Sequence, residues 1–254
     1  MKLTLLGTGT SGGVPSIGCN CPVCRSTDPH DKRLRTSALL ETDTTRILID
    51  CGPDFRQQIL PHPFRKIDAV LLTHIHYDHV AGIDDLRPFC TFGDIQLYGD
   101  EATTEGLRHN MPYCFGTHLY PGVPLLSLHA IVPHRPLRIG DIDILPFRVQ
   151  HGAMPILAYR FDKLAYITDM KTMDEEEYAY LQGVETLIIN ALRFTPVHHS
   201  HQLVDDAIRV ARRIGAKRTY FVHVTHQIGF HDEANARLPH GFSFAYDGQV
   251  IDMK

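Results

Sequence analysis

Ala69-Val-Leu-Leu-Thr73-His74-Ile75-His76-Tyr77-Asp78-His79-Val80-Ala81-Gly82 runs from an apolar stretch straight into polar chemistry. The run Ala69–Leu72 is short and rich in β-formers, so it reads as a buried strand that ends at Thr73. Three histidines and an aspartate then follow within six residues, His74 to His79. A lone histidine in a polar loop is usually incidental. Four ligand-type side chains in H-x-H-x-D-H spacing, delivered by the end of a rigid strand, can hold a divalent cation at little ordering cost.

Outward from this segment, similar short apolar runs recur at Leu3–Leu6, Ser37–Leu40, Arg46–Ile49, Ile95–Tyr98, Ile142–Val149 and Ile156–Phe161. They continue at Leu164–Ile167, Thr186–Ile189, Thr219–Val222 and Phe242–Tyr246. Helical spacing is clearest at Leu203, Ala207, Val210, Ala211 and Ile214, with Gly215 as a stop. The acidic run Asp174–Glu177 suits a helix first turn, and weaker helical patterns lie near 54–60, 80–89 and 103–109. Strands with interspersed helices, and no linker or repeat, predict an α/β chain folded as one domain over 1–254.

Composition narrows the function. The chain has 254 residues, 43% of them hydrophobic, with 25 Lys+Arg against 29 Asp+Glu. A net charge of −4 provides no general attraction for nucleic acid or an anionic membrane. Histidine is the outlier at 17 residues, and it supplies metal ligands and proton shuttles near neutral pH. The first residues do not read as a secretory signal, and no stretch approaches the ~20 apolar residues of a membrane span. The six cysteines do not suit a disulfide framework, so the expected setting is cytoplasmic with reduced thiols.

Gly7-Thr-Gly9-Thr-Ser-Gly12 matches a dinucleotide-binding fingerprint after a strand-like run. That motif needs a helix to start at its glycines. Gly13, Pro15 and Gly18 follow and forbid one, so the segment reads as a glycine-rich loop.

Further strand ends carry polar residues of the same kind. Asp50 closes Ile47-Leu-Ile and precedes Cys51-Gly52, and His151 ends the run through Phe147-Arg-Val-Gln. Asp169 follows Ala165-Tyr-Ile-Thr, and His223 follows Thr219-Tyr-Phe-Val. With the H-x-H-x-D-H loop, this ordered set resembles the metallo-β-lactamase-fold hydrolases from residue 1 to about 248. The resemblance implies a four-layer αββα sandwich, with two mixed β-sheets face to face and helices outside. It also implies that His74, His76 and His151 bind one metal, that Asp78, His79 and His223 bind another, and that Asp169 bridges both. Asp50 would orient a ligand imidazole by a hydrogen bond. Cations about 3.5–4 Å apart can clamp a phosphoryl group and lower the pKa of bound water from 15.7 to about 7.

Two features narrow the branch. Cys19-Asn-Cys21-Pro-Val-Cys24 offers three thiols in C-x-C-x2-C spacing, and His226 in His223-Val-Thr-His226-Gln227 is the expected fourth ligand of a structural zinc in the loop near 18–25. The alternative is three reduced thiols in a loop. The second feature is Val197-His198-His199-Ser200-His201 ahead of the late helix. His201 is the candidate general acid, and Asp78 is counted with it in the catalytic set. His198 and His199 read as capping or surface residues.

Together with Gly7-Thr-Gly9, Gly13-Val-Pro15 and Gly241-Phe-Ser-Phe-Ala-Tyr-Asp247-Gly248, these features resemble the phosphodiesterases of the carbon–phosphorus lyase pathway. That resemblance implies hydrolysis of a small cyclic phosphodiester such as 5-phosphoribosyl 1,2-cyclic phosphate. It implies two active-site divalent ions, manganese or zinc, and one structural zinc. The expected partner is a small anionic substrate, without membrane or long nucleic acid, and a homodimer is allowed. A tRNA 3′-processing endonuclease shares the chemistry but would want a basic arm, which this chain lacks. A non-catalytic accessory protein of cofactor biosynthesis is the reading from another class, and the intact ligand set argues against it.

Overall fold

The computed structural model describes residues 1–116 and 121–253. Two mixed sheets of seven strands each lie face to face. The first contains, in spatial order, β14 (Gln249–Asp252), β1 (Lys2–Gly7), β2 (Ser37–Glu41), β3 (Arg46–Ile49), β4 (Ala69–Leu71), β5 (Ile95–Gly99) and β6 (Leu126–Ala130). The second contains β13 (Phe242–Phe244), β12 (Arg218–Val222), β11 (Thr186–Asn190), β10 (Leu164–Ile167), β9 (Met154–Phe161), β8 (Ile142–His151) and β7 (Leu137–Ile139). In each sheet four neighbouring strands run parallel: β3 to β6 in the first, β10 to β13 in the second.

Strand alternation creates the layers. Ile47 and Ile49 of β3 face a core shared with Leu157, Tyr159 and Tyr166 of the opposing sheet. Leu48, between them, faces outward onto Phe55, Ile83 and Leu107 of the helical layer. In β10, Leu164 and Tyr166 point into the shared core, while Ala165 and Ile167 meet Val204, Ala207 and Ala211 of the helix Val204–Ile214. Central strands such as β3 and β10 therefore bury both faces, which requires near-continuous apolar runs. The result is the four-layer sandwich that the resemblance implied. No helix among the described residues is long and apolar enough to cross a membrane.

Every apolar run of the sequence reading became a strand, while β6, β7 and β14 were not foreseen. All three are edge strands. β6 is only half-buried and β7 is three residues long, so neither shows a strong apolar run. The helical pattern over 80–89 and the acidic run beyond Asp174 formed 3₁₀ helices, Ile83–Phe92 and Glu175–Leu181. Pro88 lies inside the first of these and lacks the N–H that an α-helix would use.

No helix begins at Gly7–Gly12; Gly9 instead bridges Arg35 and Val224. A Cβ on Gly7 would stand 2.0 Å from the Arg35 carbonyl oxygen, so the glycine serves close backbone packing.

A second close approach sets the metal-motif loop. Cys51 N donates to His79 O at 2.8 Å and Gly82 N donates to Cys51 O at 2.9 Å. A Cβ on Gly52 would lie 2.1 Å from the Asp78 carbonyl oxygen. Gly52→Ala is therefore expected to push the Asp78 turn outward, lower stability by about 1–3 kcal/mol, and weaken metal retention. Chemical denaturation together with metal content after gel filtration checks both effects.

Candidate metal centre

Asp50 follows β3, Asp169 follows β10 and His223 follows β12, and all three adopt left-handed backbone with φ of 57°, 55° and 54°. Side chains disfavour this region, and such strain concentrates where a fold over-determines a functional residue. The reversal turns each side chain toward the cleft at the carboxyl ends of the parallel strands. Open α/β sheets bind ligands at such strand ends. The two sheets are tied directly there, since Leu157 N of β9 donates to Thr73 O at 3.0 Å.

The gathered side chains form two adjoining groups. His74, His76 and His151 bring their ligating atoms within 4.8 Å of one another, and so do Asp78, His79, Asp169 and His223. Asp169 faces both: its Oδ2 is 3.2 Å from His223 Nε2 and 4.0 Å from His74 Nε2, while its Oδ1 is 3.4 Å from His79 Nε2. His76 is exposed at the mouth and the other six are buried.

Hydrogen bonds set the ring orientations. His79 Nδ1 donates to Asp50 Oδ2 at 2.7 Å, and His151 Nδ1 donates to the Ser200 carbonyl at 3.0 Å. Thr73 Oγ1 meets His74 Nδ1 at 3.0 Å and donates to Asp50. In His74 and His79 the Nε2 is left buried without a hydrogen-bond partner, as is His223 Nδ1. Unpartnered buried nitrogens are costly, and those of His74 and His79 stand beside ionised carboxylates. This mixed N/O donor set fits a divalent cation.

Electrostatics support the same reading. Burial alone would raise Asp169 and Asp78, yet His223 and His79 hold both below the usual carboxylate range. Burial would lower His79, but Asp169 and Asp50 raise it well above 6.5. Burial pushes His74 well below the ordinary value, and burial with His151 lowers His76, so both rings present neutral nitrogens. Neutral imidazoles and ionised carboxylates are the forms that bind metal, so His74, His76, Asp78 and Asp169 stand ready, whereas His79 would release a proton on binding.

His201 stands beside this centre. With His151 and Asp169 it forms a third group within 4.8 Å, and its Nδ1, 4.0 Å from Asp169 Oδ2, has no hydrogen-bond partner. Burial, followed by His223, lowers its pKa to about 3. The sequence reading missed the residues that hold it. Lys171 Nζ donates to the carbonyls of His198 at 2.8 Å and His201 at 3.2 Å. Gln202 Nε2 donates to Asn190 O at 2.7 Å, and the Asn190 side chain closes both backbone hydrogen-bonding groups of Met170. Adjacency to His201 and Asp169 in the chain was the signal available for Gln202 and Lys171. His199 is exposed, and His198 is half-buried with its ring tilted at 35° to that of His201, centroids 5.0 Å apart.

Cys19, Cys21 and Cys24 also gather within 4.8 Å, on the turn that opens the short helix Pro22–Arg25. Burial raises Cys24 to about 11, while the backbone N–H of Cys24 lowers Cys21. His226 is not within this three-thiol group. It begins the 3₁₀ turn His226–Ile228, which is pinned by Thr225 Oγ1 accepting from Gln227 N.

Residues 45–224 match the family described as "Beta-lactamase superfamily domain". The chain is 44% identical over 257 residues to the octanoyltransferase of Porphyromonas gingivalis, covering 100% of this chain and 52% of that protein. It is 29% identical over 203 residues to coenzyme PQQ synthesis protein B of Acinetobacter baumannii, 70% of this chain and 65% of that one. The chain thus spans about half to two thirds of the length of these curated relatives. Among solved structures it superposes on a diphosphatase from the PhnP family with a TM-score of 0.91 and 38% identity, over 100% of this chain and 98% of that one. Human tRNase Z, short form, gives 0.73 at 18% identity over the whole of both chains, a likeness of fold alone.

Asp50→Asn keeps the size of the side chain but cannot reproduce its acceptor pattern toward His79 and Thr73. Metal affinity is expected to fall by about 10–100-fold, measured by competition with a chromophoric chelator. Unchanged affinity would remove Asp50 from the support of the centre.

Proposed function

This chain belongs to the beta-lactamase superfamily, and we propose that within it the protein is a phosphodiesterase acting on a small cyclic phosphodiester such as 5-phosphoribosyl 1,2-cyclic phosphate. The fold and the similarity to a diphosphatase support a metal-dependent hydrolase. The observation that carries the finer reading is the pair of adjoining donor groups joined through Asp169, with the Nε2 atoms of His74 and His79 unpartnered between them. His74, His76 and His151 would hold one cation, Asp78, His79 and His223 another, and Asp169 would bridge them. Manganese or zinc suits such mixed ligands. When bound, the pair would activate water at neutral pH and offset charge on a phosphoryl group.

The remaining work falls to the chain. Asp50 fixes the His79 ring and the Ser200 carbonyl fixes that of His151, so both present Nε2 to the centre. His201 faces the cleft as the donor to the departing oxygen. Burial keeps its ring neutral in the free protein, and the negative charge of a bound phosphodiester would favour its protonation by solvent water. The 38% identity to a diphosphatase supports P–O bond chemistry. The name of the 44% identical relative points to acyl transfer, but this chain corresponds to only 52% of that protein.

A panel of cyclic phosphodiesters, linear diesters, short RNAs and an octanoyl thioester, assayed with manganese and with zinc, tests the assignment. Turnover is expected on the cyclic diesters; turnover of the thioester alone would overturn it. On substrates with poor leaving groups, His201→Ala should retain both metals and lose roughly 10²–10⁴-fold in rate. A wild-type rate on those substrates would deny His201 the acid role.

The three thiols are proposed to hold a zinc ion apart from the catalytic centre, with His226 as the fourth ligand once its ring leaves the turn. Cys21→Ser should cost one tightly held zinc per chain, read by elemental analysis. Full zinc in that variant would sink the site, whereas full zinc in His226→Ala would assign the fourth position to another donor.

A further inference from the structure

Residues 191–203, between β11 and the helix Val204–Ile214, run without strand or helix, yet they deliver His201 to the metal centre. The His201 ring packs against two proposed ligands, its centroid 4.6 Å from that of His151 and 4.8 Å from that of His223. Its Nδ1 is buried with no hydrogen-bond partner among the described residues. No polar contact at that atom aims the ring, so the backbone of the turn sets where it stands.

That backbone is anchored through its carbonyls. Lys171 Nζ donates to His198 O at 2.8 Å and to His201 O at 3.2 Å, so one ammonium spans both ends of the turn 198–201. Between these ends, the Ser200 carbonyl accepts from His151 Nδ1 at 3.0 Å. Beyond them, Gln202 N donates to Met170 O at 3.1 Å, and Leu192 N donates to Gln202 O at 3.1 Å. Hydrogen bonds from a charged donor are roughly twice as strong as neutral ones. The Lys171 backbone is secured separately: its N–H and that of Thr172 both donate to Gln150 O, at 2.7 Å and 3.2 Å. The lysine side chain is thus spare to its own strand end and committed to the turn.

We propose that Lys171 is a positioning residue whose ammonium clamps this turn, keeping the His201 ring and the Ser200 carbonyl in place on the centre. The proposal rests on the reading of His201 as the acid for the departing oxygen. Such an acid must come within hydrogen-bond reach of that oxygen, and a misplacement of about 1 Å can cost on the order of 10²-fold in rate. A lysine near a phosphodiester site could also bind the phosphate itself, and the two roles differ in kinetics. A clamp acts on kcat where the leaving group needs a proton, whereas a lost substrate contact raises KM for every substrate.

The test compares zinc-loaded Lys171→Met, which removes the donors of the side chain, with His201→Ala and the double variant. One substrate is 5-phosphoribosyl 1,2-cyclic phosphate, whose leaving alkoxide needs a proton. The other is bis(p-nitrophenyl) phosphate, whose phenolate leaves without one. On the first, Lys171→Met is expected to lower kcat by roughly 10–10²-fold with KM nearly unchanged, and on the second to cost far less. In the His201→Ala background the same change should cost nothing further. Imidazole N–H resonances read the clamp without the reaction. The His151 Nδ1 proton should exchange with water about tenfold faster or more in Lys171→Met, while the His79 Nδ1 proton on Asp50 keeps its rate and verifies the fold. Losses that add to those of His201→Ala, a raised KM with kcat retained, or an unaltered His151 proton would each overturn the role of Lys171. A wild-type rate in His201→Ala, or no turnover of the cyclic diester, would instead remove the acid reading beneath it, and the His151 proton then decides the clamp alone.

Discussion

The buried carboxylate of Asp50 ties together the stretches of chain on which the metal centre depends. It accepts from Thr73 N at 2.8 Å, from Thr73 Oγ1, and from His79 Nδ1. One side chain thus joins the end of β3 to the end of β4 and to the last residue of the H-x-H-x-D-H loop. A fully buried carboxylate is tolerated only when such donors surround it, and removing one partner of a buried pair costs about 3–5 kcal/mol. Once it is in place, Cys51 and Gly82 can close on the turn and the neighbouring ligands inherit their positions. The left-handed backbone at Asp50, Asp169 and His223 belongs to the same economy: local strain at three strand ends is held by two sheets with buried faces.

Legibility in the sequence followed burial. The central strands carry apolar runs on both faces, so β3, β4, β10 and β11 stood out without further help. β6 and β14 satisfy only one neighbour each and keep exposed residues, which erases the run that would betray them. The 3₁₀ segments misled for a different reason, since a helical apolar spacing survives where Pro88 or a run of carboxylates prevents an α-helix. Within the site, the ligand types were legible because imidazole and carboxylate at strand ends have few structural uses. Lys171, Asn190 and Gln202 were not, because their contribution is made through backbone carbonyls, and such contacts leave no pattern in side-chain type.

The proposed metal centre offers a chain of net charge −4 a local means of holding an anion. Five imidazoles and the carboxylates of Asp78 and Asp169 would receive the cations. Those cations then supply the positive charge locally, in a cleft where low dielectric makes it count. Surface lysines and arginines are largely spent in exposed pairs such as Lys163–Glu185 and Arg138–Asp143, which contribute little.

The reaction is therefore more readable than the substrate. Ligand geometry constrains the reacting group, whereas the remainder of the substrate is met by loops with no fixed code. Tyr77, between His76 and Asp78, is 71% exposed. Large apolar side chains left in water at such positions gain by covering a bound molecule. Their identity depends on what that molecule is, and neither strand alternation nor helical spacing dictates it. Chains sharing this sandwich can thus keep the ligand set and diverge in what they cleave, because specificity resides in residues that the fold does not need.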